Sequence, residues 1–446
     1  MKRASLIVIV TVFFFNQAFA QSVQEKLDAY MQALTKYAGF NGSVLVAKGG
    51  DILLEKGYGF RNADAGTIHD ANSVFQIGSV TKQFTSSIIL RLASEGKLSL
   101  KDTLSKYFPE YQYAKKITIE NLLNHVSGIY NYTQNADFMQ NHVTEPLSQT
   151  SFWGMIKDKP LNFEPGSNYN YSNSGYLILG YLIEKVTGQP YERVARKYLF
   201  EPAGMTHSGF DFTHLASPVK SVGYMALTKD AKTPAPIVDS TVAFSAGAIY
   251  STVHDLYNWN TALNSGKIIQ KKNLEKAYTP YKQKYGYGFG IDSVFGKRLI
   301  SHGGGIHGFV SDLAYVPEDK VSVVLLSNKP YQLSVVERDL LAVLYNQPYK
   351  LAEEQKEGKV DTATLNKYVG EYELASTFKI TVVQVGGGLK AQATGQPQFD
   401  LFAESENIFF YKVVEAKIEF VRNGKGEVES LILHQSGANI PGKKIK

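Results

Sequence analysis

Ser79-Val-Thr-Lys82 sets a hydroxyl and an amine three residues apart, a spacing that one turn of helix brings to a shared face. A lysine so placed accepts the serine proton once desolvation or neighbouring cations lower its pKa from about 10.4. Phe84, Ile88 and Leu92 predict a helix over 80–93 with Gly96 as its stop. Ser79 then stands at a helix N-terminus, where free N–H groups and the dipole favour developing negative charge. The pair alone is not decisive. Ser217-Pro-Val-Lys220 repeats it with no amphipathic helix behind it, and the plainer reading is a helix start carrying a solvated lysine.

A second element is Tyr171-Ser-Asn173, the only Tyr-x-Asn in the chain, inside a stretch rich in Asn, Ser and Gly. A phenol near cations can move protons, and an amide can hold substrate and steady a lysine. Equally, the cluster can cap the helix expected from Gly175. A third element, His302-Gly303-Gly304-Gly305, is a strand-like segment running into glycines that let backbone approach a substrate closely. A tight hairpin turn is its alternative reading, and His207-Ser-Gly209 shows that the tripeptide recurs without a glycine run.

Taken in this order and at these wide spacings, Ser-x-x-Lys, Tyr-x-Asn and His-x-Gly resemble the class C β-lactamase and penicillin-binding serine hydrolase family. The segments Phe40-Asn-Gly-Ser-Val-Leu-Val-Ala47, Ile117-Thr-Ile-Glu-Asn-Leu-Leu-Asn-His125-Val-Ser-Gly128 and Glu201-Pro-Ala-Gly-Met-Thr206 are similar to further landmarks of that family, over about residues 25–348. The resemblance implies Ser79 as nucleophile, Lys82 and Tyr171 as the proton-transfer pair, and Asn173, His302, Gly304 and Gly305 on the substrate. It also implies an oxyanion hole from the N–H groups of Ser79 and Gly305, and an acyl-serine intermediate released by water. The division of proton duties between Lys82 and Tyr171 stays open. One departure is His302, where β-lactamases usually carry a lysine that holds the drug's carboxylate. A histidine is mostly neutral above about pH 6.5, so activity is expected not to require a substrate carboxylate and to change near the histidine's pKa.

The elements that must position these groups follow from periodicity. A helix is predicted over 23–37, a hairpin from the runs 42–47 and 51–57, helices over 175–186 and 254–263, strands over 309–316 and 320–327, and a helix over 334–345. Strands at both ends with helices between suggest an α+β layered domain whose sheet unites the two ends of its sequence; the resemblance implies the β-lactamase/transpeptidase-like fold, an antiparallel sheet flanked by helices with a helical subdomain. Residues 351–364 turn polar and read as a linker between a hydrolase domain at 21–350 and an all-β, barrel-like domain at 365–446. The latter resembles small β domains often appended to such hydrolases.

Composition narrows the rest. With 44% hydrophobic and 20% charged residues the 446-residue chain is an ordinary globular one. Lys2 and Arg3, the apolar run Leu6–Phe15 and Ala18-Phe19-Ala20 read as a secretory signal over residues 1–20, so export to a periplasm or the medium is expected. No later run is long enough for a transmembrane anchor. Cysteine is absent, which excludes disulfides and a lipid-modified cysteine. A net charge of +6 with scattered basic residues argues against nucleic acid. Dispersed histidines without His-Glu-x-x-His argue against a metal, and no cofactor is expected. The partner is then a small-molecule or peptide substrate. No Gly-x-Ser-x-Gly supports an α/β-hydrolase. The rival reading is a catalytically silent protein of the same fold that binds peptide or wall glycan.

Overall fold

The computed structural model describes residues 21–228, 231–354, 357–411, 416–435 and 438–446; the expected signal segment 1–20 lies outside them. Apolar runs in the first and last thirds of the hydrolase region, continuous in the central strands because both faces are covered, build one six-stranded antiparallel sheet. Its strands are β1 (Gly42–Lys48), β2 (Asp51–Tyr58), β3 (Gly290–Val294), β4 (Lys297–Ile306), β5 (Phe309–Val316) and β6 (Val321–Ser327), in the spatial order β2-β1-β6-β5-β4-β3. The β1–β6 pairing, with Val44 opposite Leu325, joins the two ends of the domain as the pattern requires.

Helices flank both faces. The main ones are α1 (Val23–Tyr37), α2 (Thr81–Ser94), α3 (Asn173–Thr187), α4 (Val253–Ser265) and α5 (Leu333–Leu344). The period of two on β1 sends Val44 and Val46 to one side, into a cluster with Leu27 and Met31 of α1 and Leu340 of α5. Leu45 and Ala47 go to the other, into a larger core with Phe84 and Ile88 of α2 and Trp259 of α4. That core continues through Leu122, Phe152 and Leu179 into the helical subdomain. Helix α2 is enclosed in this core, with Phe84 stacked on Trp259 at 4.0 Å and its side chains buried all round for most of its length. A helix so enclosed has little freedom to shift.

Past residue 350, Asp361 caps a short helix, Thr362–Tyr368, that leads into eight antiparallel strands closed as a barrel. Closure comes from pairing of the first strand, Gly370–Ala375, with the last, Ala438–Lys444 (Tyr372 opposite Lys444). Tyr372, Ile380, Val382, Phe409, Phe420 and Leu431 fill its interior, so the barrel is a packed core and not a channel. Among the described residues no helix is long and apolar enough to cross a membrane.

Candidate active site

Ser79 sits in a 3-10 turn, Gly78–Val80, at the head of α2. The turn is pinned on both sides. Ile77 N–H donates to Ile249 O at 2.9 Å, and Ile77 O accepts from Ser311 Oγ of β5 at 2.7 Å. Gly78 has φ +49, and a Cβ there would lie 2.8 Å from Gly305 N, so glycine is required for both conformation and space. This close approach brings the Gly305 backbone of β4 against the serine turn. Ser79 and Gly305 both line a cleft of about 410 Å³, together with Asn173, Tyr132, Met139 and Val242.

Lys82, one turn along α2, is fully buried. Its Nζ donates to Ser79 Oγ at 3.0 Å, Asn173 Oδ1 at 2.8 Å and Ala246 O at 2.9 Å. Among the described residues it has no carboxylate partner, and burial holds its pKa well below the ordinary lysine value. The three contacts suit a neutral amine as well as an ammonium. Asn173 Oδ1 and Ala246 O only accept, so an amine's two N–H groups go to them and its lone pair faces the serine hydroxyl.

Asn173 opens α3. Ser172 caps that helix by accepting from Gly175 N–H, while Asn173 N–H donates to Asn131 Oδ1 and its Nδ2 to Thr133 Oγ1. The capping and site readings of this stretch therefore hold together: the cap fixes where the helix starts, and the first residue reaches the lysine.

The Tyr171 ring lies under Lys82 Nζ, 4.8 Å from its centroid. Its hydroxyl is buried without a hydrogen bond of ordinary geometry. Burial drives the phenol well above its usual pKa, and the nearby Ser79 hydroxyl opposes this only in part. His125 packs on the same ring at 4.2 Å, its Nδ1 accepting from Ser172 N–H. Burial, with the Lys82 charge adding to it, holds His125 well below the usual imidazole pKa.

His302 and Gly304 stand a layer behind the cleft. The His302 Nδ1 is 2.6 Å from Gly303 O, which can only accept, so Nδ1 carries the proton and Nε2 accepts from Tyr285 Oη at 2.9 Å. Burial, then the Lys82 charge, push this imidazole down to about 4, so the expected change near the ordinary histidine pKa moves to acid. At Gly304 a Cβ would come within 2.0 Å of Ile77 O, whereas at Gly305 it would meet open space. Gly304 thus seats the serine turn and Gly305 faces the cleft. The hairpin turn falls later than the glycine run, at His307-Gly308, between the paired residues Ile306 and Phe309.

Sequence reasoning assigned no role to Ala246, Asn131, Thr133, Tyr285 or His125. The first acts through its carbonyl, which has no side-chain signature, and His125 was visible only as part of a landmark segment.

Residues 21–347 match the Beta-lactamase family. The chain belongs to that family. Residues 354–444 match a domain of unknown function, DUF3471, which covers the barrel. Along nearly its whole length the chain is similar to penicillin-binding protein 4* of Bacillus subtilis, 28% identical over 96% of this chain and all of that one. Among solved structures it is similar to an octameric penicillin-binding protein homologue from Pyrococcus abyssi, 25% identical, TM-score 0.66, covering 94% of this chain and 99% of that one. It is also similar to a D-stereospecific amidohydrolase from Streptomyces sp., 26% identical, TM-score 0.59, covering 68% of this chain and 94% of that one. These likenesses place this Beta-lactamase family member among the serine hydrolases.

Proposed function

We propose that the protein is an exported serine hydrolase that cleaves neutral esters or amides through an acyl-enzyme on Ser79. The observation that carries the reading is Lys82, buried with no counter-ion among the described residues and bonded to Ser79 Oγ. Desolvation favours its neutral form, which is the form able to take a proton. Lys82 Nζ accepts the Ser79 proton as Oγ attacks the substrate carbonyl. The Ser79 and Gly305 N–H groups hold the oxyanion. Collapse breaks the bond to the alcohol or amine, which leaves with the proton from Lys82. Water then repeats the sequence on the serine ester and regenerates the hydroxyl. Because burial opposes a Tyr171 phenolate, this tyrosine acts as a neutral hydroxyl passing a proton to the leaving group.

Among the described residues lining the cleft there is no lysine, arginine, aspartate or glutamate, and His302 is neutral above about pH 4. The described lining thus offers no fixed positive charge for a substrate carboxylate, which favours neutral substrates over penicillins.

The test is time-resolved intact mass of wild type and Ser79→Ala mixed with a 4-nitrophenyl ester, a D-alanyl-D-alanine peptide and a penicillin. An acyl adduct on wild type alone, clearing fastest for the ester, is expected. Folded wild type giving neither adduct nor turnover would instead support the silent binding protein. Export is read in the same spectra as a mature chain beginning at Gln21.

A further inference from the structure

Tyr171 is held by its neighbours and not by a bond of its own. Its hydroxyl is buried without a hydrogen bond of ordinary geometry, so the place of that oxygen depends on what packs on the ring and what fixes the backbone beside it. His125 does both. Its ring lies 4.2 Å from the Tyr171 ring, its backbone oxygen accepts from Asn170 N–H at 3.0 Å, and its Nδ1 accepts from Ser172 N–H at 3.1 Å. One residue therefore holds the chain immediately before and immediately after Tyr171. It does so with φ +58, a left-handed conformation that histidine and asparagine adopt more readily than most residues.

The same contacts fix the protonation of the ring. An Nδ1 that accepts a backbone N–H carries no hydrogen, so the neutral imidazole keeps its proton on Nε2, which is buried without a partner. A second proton would set an N–H against the Ser172 N–H and release one side of the hold. The surroundings oppose it: the ring is buried among Tyr169, Tyr171, Tyr176 and Tyr285, and beyond burial the charges of Lys82 and of a protonated His302 act against a third cation.

We propose that His125 is a positioning residue for proton transfer, a neutral imidazole that holds the chain on both sides of Tyr171 and so keeps its hydroxyl beside Ser79. This role rests on the reading above, in which Tyr171 passes a proton to the leaving group. The Tyr171 O–H proton goes to the leaving oxygen as the bond from that oxygen to the acyl carbon breaks, and the proton that Lys82 took from Ser79 replaces it. A displaced hydroxyl therefore costs most where the leaving group cannot depart as an anion. A 4-nitrophenolate departs unaided, whereas an alkoxide needs the proton.

The experiment measures kcat/KM for 4-nitrophenyl acetate and ethyl acetate, which share an acyl group, with wild type, Tyr171→Phe, His125→Gln and His125→Asn. A merely structural loss lowers both constants alike and leaves their ratio in place. Asparagine tolerates positive φ and sets Oδ1 where the imidazole has Nδ1, whereas glutamine carries its amide farther out. In His125→Gln the ratio of the nitrophenyl to the ethyl constant is expected to rise about tenfold or more, toward the Tyr171→Phe value. His125→Asn is expected to return it most of the way to wild type, and His125→Gln to add nothing once Tyr171→Phe is present. A ratio within about twofold of wild type in folded His125→Gln, or a double variant showing a full second effect, would overturn the role. Where the variants do not fold, nitrogen NMR of the wild-type imidazole decides, since a proton on Nδ1 or a charged ring between about pH 5 and 8 overturns it equally. An unchanged ratio in Tyr171→Phe would count against the leaving-group reading, and wild type without Ser79-dependent turnover against the hydrolase reading, so the three failures are distinguishable.

Discussion

Lys82 Nζ lies 3.0 Å from Ser79 Oγ, and both side chains come from the same turn at the head of α2. The lysine's other two partners are acceptors only, so the serine is its one proton source. If Lys82 acts as a base, charge alone cannot replace it. Lys82→Arg, which keeps the charge but cannot release its proton, is expected to lose about 10²–10⁴ in kcat, as much as Lys82→Met. Burst and steady-state ester hydrolysis measure this; an arginine variant retaining most activity would show an electrostatic role instead.

Asn173 Oδ1 accepts from the same amine at 2.8 Å. A carboxylate in its place favours the charged lysine and raises its pKa, so the neutral base is reached only at higher pH. In Asn173→Asp the rising limb of kcat/KM against pH is expected to move up by about 1–2 units. An unmoved limb would mean that another group controls it.

His302, pushed down to about 4, stays neutral through the working range. His302→Gln is therefore expected to change the level of activity while leaving any midpoint between pH 5 and 8 in place. A midpoint that vanishes in the variant would show that this imidazole titrates there.

Gly304 and Gly305 differ although they are neighbours, and neither has a positive φ. Gly304→Ala drives a methyl into Ile77 O and is expected to cost about 1–3 kcal/mol of stability. Gly305→Ala points into open space and is expected to melt within about 0.5 kcal/mol of wild type. Urea denaturation of the two variants decides, and equal losses would contradict the placement of Gly304 against the serine turn.

Asp312 of β5 and Glu337 of α5 share a buried site. Burial raises Asp312 to about 6, and burial together with the Asp312 charge raises Glu337 well above its ordinary value. Both folded pKa values exceed the unfolded ones, so the native state binds more protons and this contribution to stability is full below about pH 4 and lost as pH rises through the folded values. Asp312→Asn is expected to stabilise at pH 8 by about 1–3 kcal/mol and to give no gain at pH 4. Equal effects at both pH values would exclude a proton-linked cause.

The sequence by itself determined the α+β class, the flanking helices, the β1–β6 closure and the residues Ser79, Lys82, Tyr171 and Asn173 as candidates. The elements rest on local period, which 3.6 or 2 residues already reveal, Ser79 and Lys82 on spacing within one turn, and Tyr171 and Asn173 on the resemblance that the order of the motifs carries. It did not determine which groups meet. Ser79 and Lys82 are three residues apart, but Asn173 reaches them from 91 residues away and Ala246 from 164, the latter by a backbone carbonyl that any residue carries. The His302 pKa likewise depends on burial and on Lys82, neither of which a sequence position encodes. The last barrel strand, Ala438–Lys444, includes Pro441 and Gly442 and is mostly exposed. It is a strand because Leu433 and Tyr372 pair on either side of it, and that pairing exists only once the barrel closes. Local pattern fixes elements through the chain's own geometry, whereas burial and proton affinity arise only where distant segments exclude water together.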